Sequence, residues 1–365
     1  MSADRGRATL TIDCGAIADN WRRLARAAGA AEVAGVVKAD AYGLGVAAVA
    51  DALWRAGCRS FFVAHLDEGQ ELRALLPDAA IHVLNGLPPG AEGELVEARL
   101  IPVLNHPGEI ARWAAAAAAR DERLPAVLHL DTGMCRLGLA THEVEALDPR
   151  RLGALDLRLV MSHLVSAEVP DDPLNLAQRG RFDGLRWRLP EAPASLANSS
   201  GVFLGRAFHY DLCRPGVALY GVNPTPGREN PMRPVVTLEA PVLQVHEVRS
   251  PGSVGYGATW RCAPGQRIAT VPVGYADGYL RSASSRASAW IGGAEVPVAG
   301  RVSMDLITLD VSALPAGAVV PGTTVTLIGG PDGVDRLAAA SGTIGYEVLT
   351  RLGNRFGRRY IRAAS

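Results

Sequence analysis

"VAGVVKADAYGLGVAAVADALWRAG", residues 33–57, joins a short apolar run to a segment whose apolar residues have helical spacing. The same alternation recurs along the chain to about residue 220, with further apolar runs "FFVA" at 61, "IHVL" at 81, "IPVL" at 101, "AVLHL" at 126, "LRLVM" at 157, "ASLA" at 194 and "YDLC" at 210. Continuous apolar runs are typical of strands buried on both faces, and hence of a parallel sheet. Eight such units predict a closed (β/α)8 barrel, with an open doubly wound sheet as the alternative.

The pattern changes after about residue 230, where β-like runs such as "VVTLEAPVLQVHEV" and "TVTLIGG" are separated by Gly and Pro turns. A helical patch over 334–351 interrupts them. We therefore predict a barrel domain over residues 8–230 and a mostly β domain over residues 231–365. Residues 1–12 include a strand-like stretch that could join either domain, and we assign it to the second.

Composition excludes several classes of function. The formal net charge of the 365 residues is zero, which gives no electrostatic reason to expect nucleic acid or an anionic membrane as a partner. The N-terminus has no apolar signal segment, and no uncharged apolar run is long enough for a membrane helix. The five scattered cysteines contain no CxxC pair, so neither a zinc site nor any other metal site is predicted. These features favour a cytoplasmic protein with free thiols.

A polar side chain follows each predicted barrel strand, where barrel enzymes place their active sites. The eight are Lys38, His65, Asn85, Asn105, Asp131, His163, Asn198 and Arg214. Lys38 is distinctive because 37 basic residues include 36 arginines, which leaves one lysine in the chain. Burial lowers the pKa of an amine toward the range of a nucleophile or base, whereas arginine is never usefully deprotonated. Lys38 is therefore a candidate Schiff-base lysine, the alternative being a solvated strand-end residue.

The ends of strands 7 and 8 have the features of a phosphate site. "NSSG" begins at Asn198, Ser199 could donate a hydroxyl or simply cap a helix, and Gly216 allows close approach of the backbone. A lysine and a phosphate cup in one barrel mouth suggest pyridoxal 5′-phosphate, with Schiff-base enzymes acting on sugar phosphates as the alternative. Arg214 facing the pyridine nitrogen would leave that nitrogen unprotonated, which favours proton exchange at Cα over transamination; a role in phosphate or surface pairing is the alternative.

"VVKADAYGLG" closely resembles the cofactor-attachment motif of bacterial alanine racemases. The resemblance continues, in order and over nearly the whole chain, through "HLDTGMCRLG", "LVMSHLVSAE", "SLANSSG", "LCRPGVALYG", "GYGATW", "VGYADGYLR" and "GRVSMDLITLD". It implies a barrel that binds pyridoxal phosphate, a β domain, and a homodimer with each active site at the interface. It implies interconversion of L- and D-alanine, with D-alanine supplied for peptidoglycan or consumed in catabolism.

The resemblance also implies roles for individual residues. Lys38 would hold the cofactor and act as the base for D-alanine, and Tyr256 would be the opposite-face base for L-alanine, reaching into the other subunit. The implied cofactor contacts are Tyr42, His163, Asn198, Ser199, Arg214, Gly216 and Tyr346, with His163 in the hydrogen-bonding network of Arg214. The implied substrate residues are Arg136, Met304 and Asp305, and the implied entry channel is Tyr275, Arg281 and Arg301.

Three positions depart from the pattern of the family. Leu44 stands where many members have a histidine, and Asn354 stands where some have a tyrosine that binds phosphate. His129 stands where some have a carbamylated lysine that orients the arginine matching Arg136, and a chain with one lysine lacks that device. Four alternatives are a racemase of broader specificity, a related barrel decarboxylase, a non-catalytic carrier of pyridoxal phosphate and a sensory module. The tyrosine of "GYGATW", the long β domain and the lack of membrane helices argue against the last three.

Overall fold

The computed structural model describes residues 6–330 and 332–362. The first five residues of the predicted segment 1–12 and the last three of the predicted second domain lie outside that part of the chain. Within it, the helices and strands divide into a barrel and a β-rich half. None of the described helices is both long and apolar enough to cross a membrane.

Every predicted barrel strand is present. After β1 (Thr9–Asp13), the barrel strands are β2 (Glu32–Val33), β3 (Gly35–Val36), β4 (Ser60–Val63), β5 (Ala80–Val83), β6 (Ile101–Leu104), β7 (Leu124–His129), β8 (Leu155–Met161), β9 (Ala194–Ser195) and β10 (Leu212–Cys213). β2 and β3 together form the first predicted strand. All four residues of β4 are buried, as expected for a strand covered on both faces.

The barrel closes by parallel pairing. β3 to β9 form a seven-stranded parallel sheet in chain order, and β10 pairs with β2. Two backbone bonds link β9 to β10: Asp211 N donates to Ala194 O at 3.0 Å, and Arg214 N donates to Ala197 O at 2.9 Å. This arrangement confirms the (β/α)8 barrel and excludes the open doubly wound sheet.

The helices of this half are α1 (Cys14–Ala28), α2 (Lys38–Gly43), α3 (Val46–Ala56), α4 (Leu66–Leu75), α5 (Glu92–Glu97), α6 (Pro107–Arg120), α7 (Thr141–Glu145), α8 (Pro149–Gly153) and α9 (Pro173–Arg186). α3 is typical: its buried residues Val46, Val49, Ala50 and Leu53 form one apolar stripe. The expected helix between the last two strands is instead a pair of 3-10 turns, Gly201–Leu204 and Arg206–Phe208, because Gly205, at φ 103°, interrupts the segment.

The described part of the second half contains ten strands: β11 (Val236–Pro241), β12 (Gln244–Glu247), β13 (Gly252–Val254), β14 (Trp260–Cys262), β15 (Arg267–Val271), β16 (Ser288–Ile291), β17 (Ala294–Pro297), β18 (Ile307–Asp310), β19 (Thr324–Ile328) and β20 (Gly357–Ile361). One sheet has the order β17-β16-β19-β11-β1-β20, a second has the order β12-β15-β18, and β13 pairs with β14. β1 therefore pairs with strands from the far end of the chain. The predicted helical patch forms α10 (Gly333–Ser341) and α11 (Gly345–Arg351).

Candidate active site

The first barrel strand leads into a left-handed turn that begins at the only lysine of the chain. Ala39, Asp40, Ala41 and Tyr42 have φ values of 54°, 51°, 52° and 58°. Left-handed backbone costs roughly 1–2 kcal/mol for each L-residue, so four in succession persist only where other contacts fix them. The surroundings of the turn therefore set its conformation. Because Lys38 directly precedes the left-handed residues, that conformation constrains the backbone from which its side chain projects.

The second domain holds the end of this turn. The Arg358 guanidinium donates to the Gly43 carbonyl oxygen at 2.8 Å, and the Tyr360 hydroxyl donates to the Leu44 carbonyl oxygen at 3.0 Å. Gly45 lies so close to Tyr360 that an added Cβ would overlap the tyrosine hydroxyl. Strand β20 thus fixes the backbone that follows the lysine.

Lys38 lies where its charged form is disfavoured. Burial lowers the pKa of Lys38, the Arg136 guanidinium lowers it further, and the Glu68 carboxylate raises it. An amine in such surroundings can lose its proton and act as a nucleophile or a base.

A cavity of about 700 Å³ opens at the carboxyl ends of the barrel strands, within the size range of small-molecule sites. The structure brings together here all the residues expected from the sequence to contact the cofactor, together with one expected to bind substrate: Lys38, Tyr42, Arg136, His163, Asn198, Ser199, Arg214, Gly216 and Tyr346. These residues lie far apart in the sequence and converge only through closure of the barrel.

One end of the cavity has the donors that a phosphate group requires. The Ser199 hydroxyl accepts hydrogen bonds from Gly216 N at 3.0 Å and Ala218 N at 3.2 Å, which fixes the hydroxyl oxygen and leaves its proton free to donate to a ligand. An added Cβ at Gly216 would overlap the Tyr42 hydroxyl, which explains the glycine. Asn198, rather than Ser199, caps the following turn, because its Oδ1 accepts from Gly201 N at 2.9 Å.

Two tyrosines complete this end. Burial raises the pKa of Tyr346 to about 12 and raises the pKa of Tyr42 as well, so both hydroxyls keep their protons at neutral pH. Their rings lie 6.1 Å apart, and Tyr42 also packs on Tyr220 at 4.7 Å. Neutral hydroxyl donors of this kind fit a phosphate, and Lys38 at the same cavity fits an aldehyde. The residues present therefore fit pyridoxal phosphate.

Arg214 is buried in the floor of the cavity. Its guanidinium donates to the Ser162 carbonyl oxygen at 2.5 Å and to the Ser195 hydroxyl. Burial lowers the pKa of Arg214 to about 10, which leaves it charged at neutral pH, and no carboxylate within residues 6–330 and 332–362 is among the groups that shift its pKa. Burial and the nearby Arg214 charge lower the pKa of His163 to about 3, so this histidine is neutral. In the described chain His163 is coupled to Arg214 by charge and not by a direct hydrogen bond.

His129, the position of the missing lysine, is held in one tautomer. The Asn105 amide nitrogen donates to the Val103 and Leu84 carbonyl oxygens at 2.8 and 3.2 Å, so its Oδ1 faces His129 Nδ1 at 2.8 Å. Because that oxygen can only accept, Nδ1 carries the proton. Burial lowers the pKa of His129 to about 4, and the neutral ring presents Nε2 as an acceptor at the cavity that Arg136 also lines.

The other residues after the barrel strands have different environments. Asn85 lines the cavity, whereas the exposed His65 lies beside it, 3.4 Å from the Asn85 amide. The Asp131 carboxylate accepts from Gly133 N at 2.8 Å and Met134 N at 2.9 Å, which orders the loop that leads to Arg136. The strand-end pattern therefore combines cavity residues with residues that shape the loops around it.

The second-domain residues expected at the site lie away from the cavity of their own chain. Its lining contains none of Tyr256, Tyr275, Arg281, Arg301, Met304 and Asp305 among the described residues. Tyr256 is 70% exposed and Met304 is 54% exposed, and Asp305 pairs with Arg355 at 2.8 Å. Arg301 packs against the glycine after Tyr256. Most of these residues are exposed, and in the described chain they lie outside the cavity that holds Lys38.

The two remaining departures have different outcomes. Leu44 is fully buried, so its apolar side chain belongs to the barrel core. Asn354 is exposed and does not line the cavity. Sequence reasoning missed Glu68, whose carboxylate bonds the backbone beside Lys38. The only signal was its place in "HLDEGQ", which looks like an ordinary helix start.

Comparison with known proteins is consistent along the whole chain. The profile of the alanine racemase N-terminal domain matches residues 12–224, and that of the C-terminal domain matches residues 235–360. An alanine racemase of Methylobacterium nodulans is 54% identical, over 98% of this chain and 97% of that protein. A catabolic alanine racemase of Mesorhizobium japonicum is 51% identical, over 97% of this chain and 93% of that protein.

The fold gives the same result. A crystal structure of alanine racemase from Bartonella henselae, with covalently bound pyridoxal phosphate, superimposes with a TM-score of 0.94 at 38% identity, covering 97% of this chain and 99% of that one. Both domain profiles, these relatives and the shared architecture agree. The chain belongs to the alanine racemase family.

Proposed function

We propose that this chain interconverts L- and D-alanine with pyridoxal phosphate bound in the barrel cavity. The observation that carries the proposal is the single lysine, half-buried with a lowered pKa, in a cavity whose other end presents phosphate donors. Bound pyridoxal phosphate supplies an electron sink that makes the α-proton of an amino acid acidic. The remaining chemistry belongs to the side chains of this protein.

Lys38 holds the cofactor covalently and moves a proton at Nζ on one face of the substrate. The phosphate contacts are Tyr42, Asn198, Ser199, Gly216 and Tyr346. Arg214 is a pure donor, so a ring nitrogen facing it is not favoured to take up a proton, and that limits reactions other than racemisation. His163 stays neutral beside it and adds no second charge.

Arg136 binds the substrate carboxylate. Its charge lowers the pKa of both Lys38 and His163, and no acid within residues 6–330 or 332–362 forms an ion pair with it. His129 lines the same cavity as Arg136, and its neutral ring stands where some family members have a negatively charged group. Because no negatively charged group at this position neutralises Arg136, its guanidinium is free to bind the substrate carboxylate.

Tyr256 is the base on the opposite face, supplied by the other subunit of a homodimer. Its exposure and its absence from the cavity of its own chain support this assignment. Met304 and Asp305 accompany it and close the substrate pocket, and Tyr275, Arg281 and Arg301 line the entry channel. A phenol and an amine have pKa values near 10 in water and can exchange the roles of acid and base when both are tuned.

The remaining assignments follow from this one. We infer a cytoplasmic location from the free cysteines, and a domain boundary between residues 230 and 231 from the change in strand pattern. One relative is named a catabolic alanine racemase, and another is named an alanine racemase without that word. We propose that this chain supplies D-alanine for peptidoglycan, and a catabolic role is the alternative. A broader racemase remains the alternative for substrate range.

Purified protein should bind pyridoxal phosphate, with absorbance from the covalent adduct, and should racemise both enantiomers of alanine. Lys38→Ala should lose the adduct and the activity, and Lys38→Arg should lose both despite keeping the charge. Assays with alanine, serine and lysine determine the substrate range. A wild-type protein that takes up no pyridoxal phosphate would overturn the proposal.

A further inference from the structure

Glu68 lies in the first turn of α4 and contacts the lysine-bearing turn. Its Oε1 accepts a hydrogen bond from Ala39 N at 2.7 Å. Its Oε2 accepts from Ala64 N at 2.7 Å and from His65 N at 3.2 Å. One carboxylate therefore connects the loop after the second barrel strand to the residue directly after Lys38.

An ordinary capping role explains only part of this arrangement. A glutamate at the third position of a helix commonly accepts from the N-cap N–H, and the bond to His65 is of that kind. The bond to Ala39 joins residues 29 positions apart and contributes nothing to the cap. It ends instead on the first residue of the left-handed run, at the backbone group nearest the lysine.

Hydrogen bonds to ionised acceptors are stronger than neutral ones, which suits a strained segment. At the other side of the turn, the Asp40 carboxylate accepts from Val46 N at 2.6 Å. The turn is thus fixed at its first residue by Glu68, internally by Asp40, and at its end by β20. Of these groups, Glu68 is the one that bonds the residue directly after Lys38 in the chain.

Charge gives Glu68 a second role. The titratable groups that act on Lys38 or respond to it in the described chain are Arg136, Glu68 and His163. His163 is neutral at physiological pH because burial lowers its pKa to about 3. Glu68 is therefore the negative charge in this set and opposes Arg136.

We propose that Glu68 is a positioning residue for Lys38, fixing the left-handed turn that aims the amine and supplying the negative charge that offsets Arg136. The inference rests on the assignment of Lys38 to the active site made above. In this proposal Glu68 transfers no proton and contacts neither the substrate nor the cofactor.

The single lysine makes a direct test possible. Trace acylation of the full-length chain, freed of pyridoxal phosphate and followed by peptide mass spectrometry against pH, reports the titration of Lys38 alone, because the N-terminal amine lies in a separate peptide. Glu68→Gln should move the labelling midpoint to lower pH, because it removes the charge that favours the ammonium form. Glu71→Gln, an exposed carboxylate of the same helix, is the matched control and should leave the midpoint unchanged.

Glu68→Asp separates aim from charge. It keeps the negative charge but is one methylene too short to span both bonding partners, so its labelling midpoint should lie closer to wild type than that of Glu68→Gln. With pyridoxal phosphate bound, its kcat should fall, by up to about a hundredfold if the amine is misplaced by an ångström.

A Glu68→Gln midpoint equal to wild type, in protein with native circular dichroism, would overturn the role of the charge. A wild-type kcat in Glu68→Asp would overturn the role of Glu68 in aiming the amine. If Glu68→Gln does not fold, the kcat of Glu68→Asp alone decides whether Glu68 is a positioning residue. The labelling uses protein without cofactor. A chain that never bound pyridoxal phosphate would therefore refute the proposed function and leave this comparison readable.

Discussion

Lys38 and Arg214 are both cations in water, but burial separates their behaviour in this cavity. The Lys38 amine can lose its proton, and its lowered pKa moves it toward that state. Burial lowers the pKa of Arg214 only to about 10, so it stays a donor. This difference explains why one amine persists among 36 arginines. The sequence predicted that residue because only its side chain can perform the chemistry.

Gly216 tests the fit of the phosphate end at the residue scale. Gly216 has a negative φ of −119°, so Gly216→Ala adds no left-handed strain, but its Cβ overlaps the Tyr42 hydroxyl. We expect about tenfold weaker binding of pyridoxal phosphate, or about 1.4 kcal/mol, measured by titration of cofactor-free protein. Gly180→Ala adds its Cβ in open space on α9 and serves as the control. Equal affinity in both variants would show that Tyr42 needs no room at this position.

Secondary structure elements differ in how well the sequence predicted them. The barrel strands were located because each is a continuous apolar run. The hairpin of β13 and β14, which flanks Tyr256, was missed because Gly252 and Ser253 are exposed and leave no apolar alternation. The left-handed turn was missed because Ala39 to Tyr42 contain no glycine, and only distant contacts, with Glu68 and β20, make the conformation stable.

The contact between β20 and the lysine-bearing turn gives a prediction at the element scale. Gly45 has φ 94°, and an added Cβ would overlap Tyr360, so Gly45→Ala has both backbone strain and a steric clash. Gly265 has φ 90° with nothing near an added Cβ, so Gly265→Ala has the strain alone.

We expect Gly45→Ala to lower the free energy of unfolding by about 1–3 kcal/mol more than Gly265→Ala does, in urea titrations. Adding Tyr360→Phe should restore part of the difference. Equal losses of unfolding free energy in the two glycine variants would mean that Tyr360 of β20 moves aside without a measurable loss of stability.

At the scale of the whole molecule, the barrel interior holds neutral histidines around a buried arginine. Burial, followed by the Arg214 charge, lowers the pKa of His82 to about 3, of His129 to about 4 and of His163 to about 3. His82 stacks on Phe62 at 4.4 Å, and its Nδ1 has no partner in the described chain. A sequence shows histidines but not which of them are buried beside a charge, so this feature emerges only from the structure.

These histidines predict lability in acid. The unfolded chain protonates them near pH 6.5 and the folded chain does not, so below that pH the unfolded state binds more protons. The stability present above pH 6.5 is lost as the pH falls toward about 4, at roughly 1.4 kcal/mol per unit for each ring. The urea midpoint of the wild type should fall steeply as the pH is lowered. The slope should be smaller in His82→Gln and equal to that of wild type in the exposed control His246→Gln. The same slope in wild type and His82→Gln would contradict this.

The central claim is that one active site combines Lys38 of one subunit with Tyr256 of the other. The most direct measurement mixes Lys38→Ala and Tyr256→Phe proteins, each inactive alone, under conditions where subunits exchange. A hybrid dimer then contains one intact site, and an equal mixture should recover about a quarter of wild-type racemisation of alanine if C2 dimers form at random. Activity no higher than that of the separate variants, with hybrid dimers demonstrated by mass spectrometry, would contradict the account.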